Sequence, residues 1–189
     1  MRVGVFGGTF NPPHEGHRIL AEQAVEALRL DRLIWVPAAR SPFKDGSDDV
    51  SASHRLAMTA LAAADSSAFR VSDLELQREP PSYTVDTLHS FSALYPGAQL
   101  ILLVGGDSWE GFDGWKDHAR IRTLAEVAVY PRPGSTLPGD ARPDHLLDAP
   151  RIDISSTELR SKLMTGRPVA GLIRPSVLGY IRKFGLYGA

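Results

Sequence analysis

The sequence predicts an α/β protein built on a doubly wound, predominantly parallel sheet, with a small helical portion at its C-terminal end. Three observations lead there. Short apolar runs alternate with longer stretches of helical spacing, Gly7-Gly8 and Pro12-Pro13 punctuate the link after the first run, and Leu100–Val104 is a nearly continuous apolar run. Such a run suits a central parallel strand covered on both faces, and the alternation suits crossover connections between neighbouring strands.

Taken in order, Arg2 to Phe6 reads as a buried strand ending in a sharp glycine turn. Glu15 to Leu28 has helical spacing, with Leu20, Ala24, Ala27 and Leu28 on the inward face, and Leu33 to Val36 is the next strand. Pro37 to Asp49 is polar, contains Pro42 and Gly46, and reads as a loop. Ser53 to Ala64 is helical, with Leu56, Ala60 and Leu61 expected inside, followed by a short strand at Phe69 to Val71. Ser82 is expected to start a helix that turns Val85, Leu88, Phe91 and Leu94 inward and stops at Pro96-Gly97. After the central strand, Gly105 to Trp115 reads as a ligand loop, and Leu124 to Tyr130 as a strand. Pro131 to Pro150 reads as an irregular connection. Arg151 to Ile154 is expected to be a strand, and Ser156 to Met164 and Pro175 to Phe184 helices. The whole is a Rossmann-like arrangement in one unit, residues 1–189, with a main α/β portion over 1–150 and a C-terminal portion over 151–189.

Composition narrows the functional classes. The chain has 189 residues, 43% of them hydrophobic and 23% charged, as expected of one packed domain with a substantial core. No apolar run is long enough to cross a bilayer, and Met1-Arg2 leads directly into the first strand, so the expected setting is the cytoplasm. The absence of cysteine excludes disulfides, thiolate metal sites and a cysteine nucleophile. A net charge of -1 argues against a general nucleic-acid surface. Residues 151–189 nevertheless carry seven Lys or Arg against two acidic residues, which suits either a polyanionic ligand or a solvated helical face.

The block from Gly7 to His17 bears on that choice. It joins a strand to a helix, where glycines let the backbone approach a phosphate and the helix-start amides favour negative charge. His14 and His17 are three residues apart, so both imidazoles fall on one side of the first turn, with Thr9 adding a hydroxyl. On its own this block also reads as a turn with two helix-end histidines. It is neither G-x-G-x-x-G nor a Walker A sequence, which removes the main support for a dehydrogenase or kinase. In the C-terminal portion, Ser155 and Glu158 fit a capping box, and the first-turn amides with Arg160 can face phosphate, although a well-capped surface helix explains the same residues.

His14-Glu15-Gly16-His17 resembles the HxGH signature of the nucleotidylyltransferase superfamily. With Gly7–Pro12, Ser82–Leu88 and Ile154–Arg160, the chain is similar to bacterial nicotinate-nucleotide adenylyltransferases over most of its length. It departs at Asn11, where aspartate is frequent, and at Ser41, where asparagine is common. The resemblance implies that ATP and nicotinate mononucleotide give nicotinate adenine dinucleotide and pyrophosphate, with Mg²⁺ entering as MgATP and no dedicated protein metal site. It implies catalytic roles for His14 and His17. ATP contacts are implied for Gly7, Gly8, Thr9, Phe10, His14, His17, Lys44, Gly105, Asp107, Ser156, Thr157 and Arg160. The nicotinate nucleotide is assigned to Lys44, Tyr83, Thr84 and Trp115, the last stacking on the pyridine ring. Asp107 follows the central strand, where open α/β sheets leave a ligand crevice, and can accept from ribose hydroxyls or cap a turn. An enzyme preferring the amide mononucleotide, another phosphate acceptor, or a nucleotide sensor without turnover are the competing readings, and a homo-oligomer is left open.

Overall fold

A computed structural model describes residues 1–39, 50–79, 81–131, 142–148 and 154–189. Six parallel strands form one sheet: β1 (Arg2–Gly8), β2 (Arg32–Pro37), β3 (Phe69–Val71), β4 (Gln99–Gly105), β5 (Glu126–Tyr130) and β6 (His145–Leu146). Their order is β3-β2-β1-β4-β5-β6. The chain winds outward in one direction from β1 and in the other from β4. The carboxyl ends of those two adjacent strands therefore leave the crevice in which open α/β sheets bind ligands.

Strand residues alternate between two cores, as the two-residue period requires. Val3, Val5, Ile34, Val36, Leu100, Leu102, Val104, Val127 and Val129 face one side with Val85, Leu88 and Phe91 of α3 (Thr84–Leu94) and Ile121 of α5 (His118–Leu124). Phe6, Leu33, Trp35, Ile101, Leu103, Ala128 and Tyr130 face the other with Ala21 and Ala24 of α1 (Glu15–Ala27). Gly4 sits where an added Cβ would lie 2.5 Å from Leu33 Cδ1 and 2.6 Å from Leu30 Cδ1, so any side chain there would force both leucines to shift.

A third core joins α2 (Ala52–Ala63) to the C-terminal helices α6 (Ser156–Met164) and α7 (Pro175–Lys183), through Met58, Ala62, Leu159, Leu163, Val177 and Ile181. Pro175 is placed in the first turn of α7, where its missing N–H costs nothing. Ser155 Oγ accepts from Glu158 N–H at 3.1 Å and caps α6, worth about 1 kcal/mol. The expected reciprocal contact is absent, because the Glu158 carboxylate turns to Lys162 at 2.8 Å.

Several expectations are corrected. The stretch read as a ligand loop contains a helix, α4 (Gly106–Glu110), and a 3-10 turn at Phe112–Gly114, with Trp109 and Phe112 buried and stacked at 4.8 Å. The helix α5 was not expected at all, and it takes Leu124 out of the fifth strand. Helix α3 begins at Thr84, not Ser82, because the carbonyl of Tyr83 receives the first helical hydrogen bonds while the Ser82 hydroxyl donates to the Glu75 carbonyl. Its expected inward Leu94 is exposed, as is Ala27 at the end of α1. Helix α2 is rotated from expectation: Arg55, Met58, Thr59, Ala62 and Ala63 are buried and Ala60 is exposed. The connection read as irregular carries the two-residue β6, and Ile154 lies outside any strand. Residues 40–49 and 151–153, with the loop and strand expected there, lie outside the described residues, as does Lys44. Among the described residues no helix is long and apolar enough to cross a membrane.

Candidate active site

The turn after β1 enters helix α1 through His14, whose extended backbone makes it the N-cap. His17 Nδ1 accepts from the His14 N–H at 3.2 Å, so the neutral His17 ring carries its proton on Nε2, which is then a donor. The two imidazoles stack with centroids 3.7 Å apart. The His17 ring is also edge-on to Phe10 at 5.1 Å, and Phe10 in turn packs on Phe6 and Trp35. His17 is thus held between His14 and the Phe10 ring by packing. Burial pushes the His14 imidazole down to about 4, and its Nδ1 has no hydrogen-bond partner among the described residues. At neutral pH His14 is therefore uncharged.

The same turn is fixed from distant parts of the chain. Arg55 donates to the carbonyls of Thr9 and Ala39, each at 2.9 Å, tying the connection after β1 to the one after β2. Ser156 Oγ donates to the Pro12 carbonyl and Arg160 Nη1 to the Asn11 carbonyl, both at 2.9 Å. The Tyr187 hydroxyl donates to Asn11 Oδ1. The Asn11–Pro12 peptide bond is cis. Asn11 is 3% exposed, so the residue at which this sequence departs from aspartate anchors the turn from inside.

Beside the turn lies a cavity of about 510 Å³, large enough for a nucleotide-sized ligand. Gly7, Gly8 and Thr9 line it from the end of β1, Tyr83 and Thr84 from the start of α3, and Trp115 from the segment before α5. An added Cβ at Gly7 would meet nothing within 4 Å, so the backbone there is open to the cavity. Trp115 is half-buried against Phe112 at a centroid distance of 5.4 Å.

Every described residue expected at the nicotinate nucleotide is thus brought to one cavity. The ATP-side residues divide. Gly7, Gly8 and Thr9 line the cavity; His14, His17, Ser156 and Arg160 sit at or directly against the adjoining turn. Thr157 is exposed and accepts from Arg160 Nη2 at 3.3 Å. Gly105 and Asp107 are exposed at the carboxyl end of β4, outside the cavity lining. Phe10, also expected at ATP, is 2% exposed, with its ring packed edge-on to His17, so only its main chain is left to meet a ligand. The expected supply of free amides at the start of α1 is also reduced, since the Glu15 N–H donates to the Leu172 carbonyl at 2.9 Å and the His14 N–H to His17.

Sequence reasoning missed Glu75, which lines the cavity while 8% exposed, and Arg55, which is 4% exposed. The signal for Glu75 was its place between Leu74 and Leu76; for Arg55, its i,i+3 and i,i+7 relation to Met58 and Ala62.

Comparison with known proteins bears on family and fold. Residues 5–162 match the family described as Cytidylyltransferase-like. A probable nicotinate-nucleotide adenylyltransferase of Thermus thermophilus is 43% identical over 187 residues, spanning 99% of this chain and 100% of that protein. One from Roseiflexus sp. (strain RS-1) is 41% identical over 195 residues, spanning 98% and 97%. The structure of Plasmodium falciparum nicotinic acid mononucleotide adenylyltransferase complexed with NaAD has a TM-score of 0.81 over 99% of this chain and 97% of that one. Its identity is 20%, so that likeness is one of fold.

Proposed function

This chain belongs to the nicotinate-nucleotide adenylyltransferase family, and on that premise we propose that it transfers the adenylyl group of ATP to nicotinate mononucleotide, forming nicotinate adenine dinucleotide and pyrophosphate. One observation carries the assignment of this chemistry to named residues: a stacked histidine pair follows the turn whose Gly7, Gly8 and Thr9 line a cavity together with Tyr83, Thr84 and Trp115.

In this reading an oxygen of the mononucleotide 5′-phosphate attacks the α-phosphorus of ATP. The bond to the bridging oxygen of the β-phosphate breaks, and pyrophosphate leaves with the charge. The attacking oxygen is already ionised, so no protein nucleophile is required. The protein aligns two anions and stabilises the charge that moves onto the leaving group. His17 Nε2–H and the uncharged His14 are the proposed donors to the phosphates. Arg160 supplies fixed positive charge beside them, and Lys44 a second cation. Gly7 and Gly8 let the chain lie close to the phosphates. Asp107, beside Gly105, is proposed to accept from a ribose hydroxyl. Trp115 stacks on the pyridine, and the amide end of α3 at Thr84 meets its carboxylate.

Mg²⁺ is taken to enter on the triphosphate as part of MgATP; among the described residues no three His, Asp or Glu side chains are grouped to hold a metal. Residues 1–150 and 151–189 act as one catalytic unit in this reading, supported by the bonds from Ser156 and Arg160 to the first turn. The proposed setting is cytoplasmic, in keeping with the absence, among the described residues, of a helix long and apolar enough to cross a membrane.

The test is an acceptor panel with ATP and Mg²⁺, with products identified by mass. The acid mononucleotide is expected to give dinucleotide and pyrophosphate with the highest kcat/KM. ATP binding without product from any pyridine mononucleotide overturns the reading in favour of a nucleotide sensor.

A further inference from the structure

The cavity assigned to the acceptor contains a carboxyl group, although the proposed acceptor is itself an acid. Glu75 lies between β3 and α3. Its Oε1 accepts from the Thr87 hydroxyl at 2.8 Å, and that hydroxyl accepts from Arg78 Nη1 at 3.1 Å. The second oxygen, Oε2, has no hydrogen-bond partner among the described residues and is not sealed from the cavity that Glu75 lines. Arg78 is committed elsewhere as well, donating to the Asp86 carbonyl at 3.1 Å and to Ser90 Oγ at 2.6 Å. Among the described residues the other charges near the cavity are Lys116, 4.3 Å from the centre of the Tyr83 ring, and Asp86, which holds Lys116 at 3.1 Å on the exposed rim; Lys44, assigned to the same nucleotide, lies outside the described residues. Tyr83 contributes a phenol, and the lining residues from β1, β2 and β4 bring no titratable group. Burial pushes the Glu75 carboxyl above the usual carboxylate range, opposed by the Thr87 hydrogen bond and by the Arg78 charge.

Two ionised carboxylates in one desolvated pocket repel, whereas one proton between them makes a strong hydrogen bond. A carboxamide has the reverse need: its NH₂ is satisfied by an ionised oxygen. We propose that Glu75 is a specificity-determining residue of the acceptor pocket, its protonated Oε2 donating to the carboxylate of an acidic pyridine mononucleotide and its ionised form favouring the amide. The inference rests on the functional reading above, and it makes acid-over-amide preference depend on pH.

The experiment measures kcat/KM for nicotinate and nicotinamide mononucleotides at saturating MgATP from pH 5.5 to 8.5, in the wild type and in Glu75→Gln. The two acceptors share the same phosphate, and ATP and the histidines act on both, so the ratio of the two efficiencies cancels their titrations. In the wild type the acid-to-amide ratio is expected to fall about tenfold as pH rises, the effect of exchanging one buried donor for a repelling charge. Glutamine keeps an oxygen for Thr87 and presents a permanent N–H, so its ratio should stay flat at the acid-favouring level. A flat wild-type ratio overturns the proposal without recourse to any variant, and so does a Glu75→Gln ratio that falls like the wild type. Dinucleotide formation with a flat ratio removes this inference alone; no product from either acceptor removes the functional reading and the inference together.

Discussion

The two glycines that end β1 should fail in different ways when each is replaced by alanine. At Gly7 an added Cβ meets nothing within 4 Å and projects into the cavity, and the backbone is not left-handed, so the fold gains from a less flexible unfolded chain, by about 0.5 kcal/mol. The ligand loses, because a methyl group now stands where the backbone is proposed to approach phosphate. At Gly8 the same Cβ would lie 2.8 and 2.9 Å from the Phe10 ring, which is 2% exposed and packed against Phe6, Trp35 and His17. That ring has little room to retreat, so overpacking should cost about 2 kcal/mol, or roughly 4–8 °C in Tm for a chain of this length. Thermal unfolding and kcat/KM for dinucleotide formation are measured on both variants. Gly7→Ala is expected to keep or slightly raise Tm while losing at least about tenfold in kcat/KM; Gly8→Ala should lose both. Full activity in Gly7→Ala would remove the cavity edge at Gly7 from the substrate path. An unchanged Tm in Gly8→Ala would show that the Phe10 ring is not a fixed support for His17.

Three further outcomes follow from named contacts. The folded His14 titrates near 4 against 6.5 for an unperturbed histidine, so between those values the unfolded chain takes up a proton that the folded one refuses, and stability falls as pH drops through that window by about 3 kcal/mol. Urea midpoints at pH 7 and pH 4.5 should therefore converge in His14→Gln relative to the wild type. Arg55→Met strips donors from the Thr9 and Ala39 carbonyls and should lower stability by about 3 kcal/mol in chemical denaturation, with a normal midpoint refuting the clamp. Trp115→Ala should raise KM for both pyridine mononucleotides by about tenfold while leaving KM for ATP near its original value; a selective loss of ATP binding would place the ring on the wrong substrate.

What could be read from the sequence was whatever rests on local periodicity or on contiguous motifs. Leu100–Val104 fixes a central strand because each of its residues is buried on one face or the other. The His14–His17 spacing fixes a shared helical side because i and i+3 are neighbours on any first turn. The reading failed where tertiary contacts overrode the local pattern. Helix α2 has no dominant apolar stripe, and its rotation is set by Arg55 reaching two carbonyls and by Met58 and Ala62 meeting the C-terminal helices. Helix α5 has seven residues, one of them buried, and starts from Asp117 in a left-handed conformation without a side-chain cap, so neither period nor start signal was present. Trp109, Phe112 and Trp115 were spaced at three residues, a helical interval masked by Gly111 and Gly114. The first two are core and the third alone lines the cavity.

The Gly7–His17 block is contiguous in sequence but its geometry is not locally determined. Between Asn11 and Glu15 the turn receives four bonds from the last third of the chain: Arg160 to the Asn11 carbonyl, Tyr187 to the Asn11 side chain, Ser156 to the Pro12 carbonyl, and the Leu172 carbonyl to the Glu15 N–H. Arg160 therefore has two tasks at one place, since the guanidinium proposed to face phosphate also holds the main chain that carries the histidines. Each further N–H of the fork that leaves Thr157 for a ligand strengthens the phosphate contact without releasing Asn11. A lysine at this position could supply the charge, but its single ammonium lacks the planar fork that bonds a carbonyl and an anion in fixed relative directions. In the proposed site the preference for arginine is thus geometric as much as electrostatic, and it couples the packing of α6 and α7 onto α2 to the placement of His14 and His17, the proposed donors to the reacting phosphates.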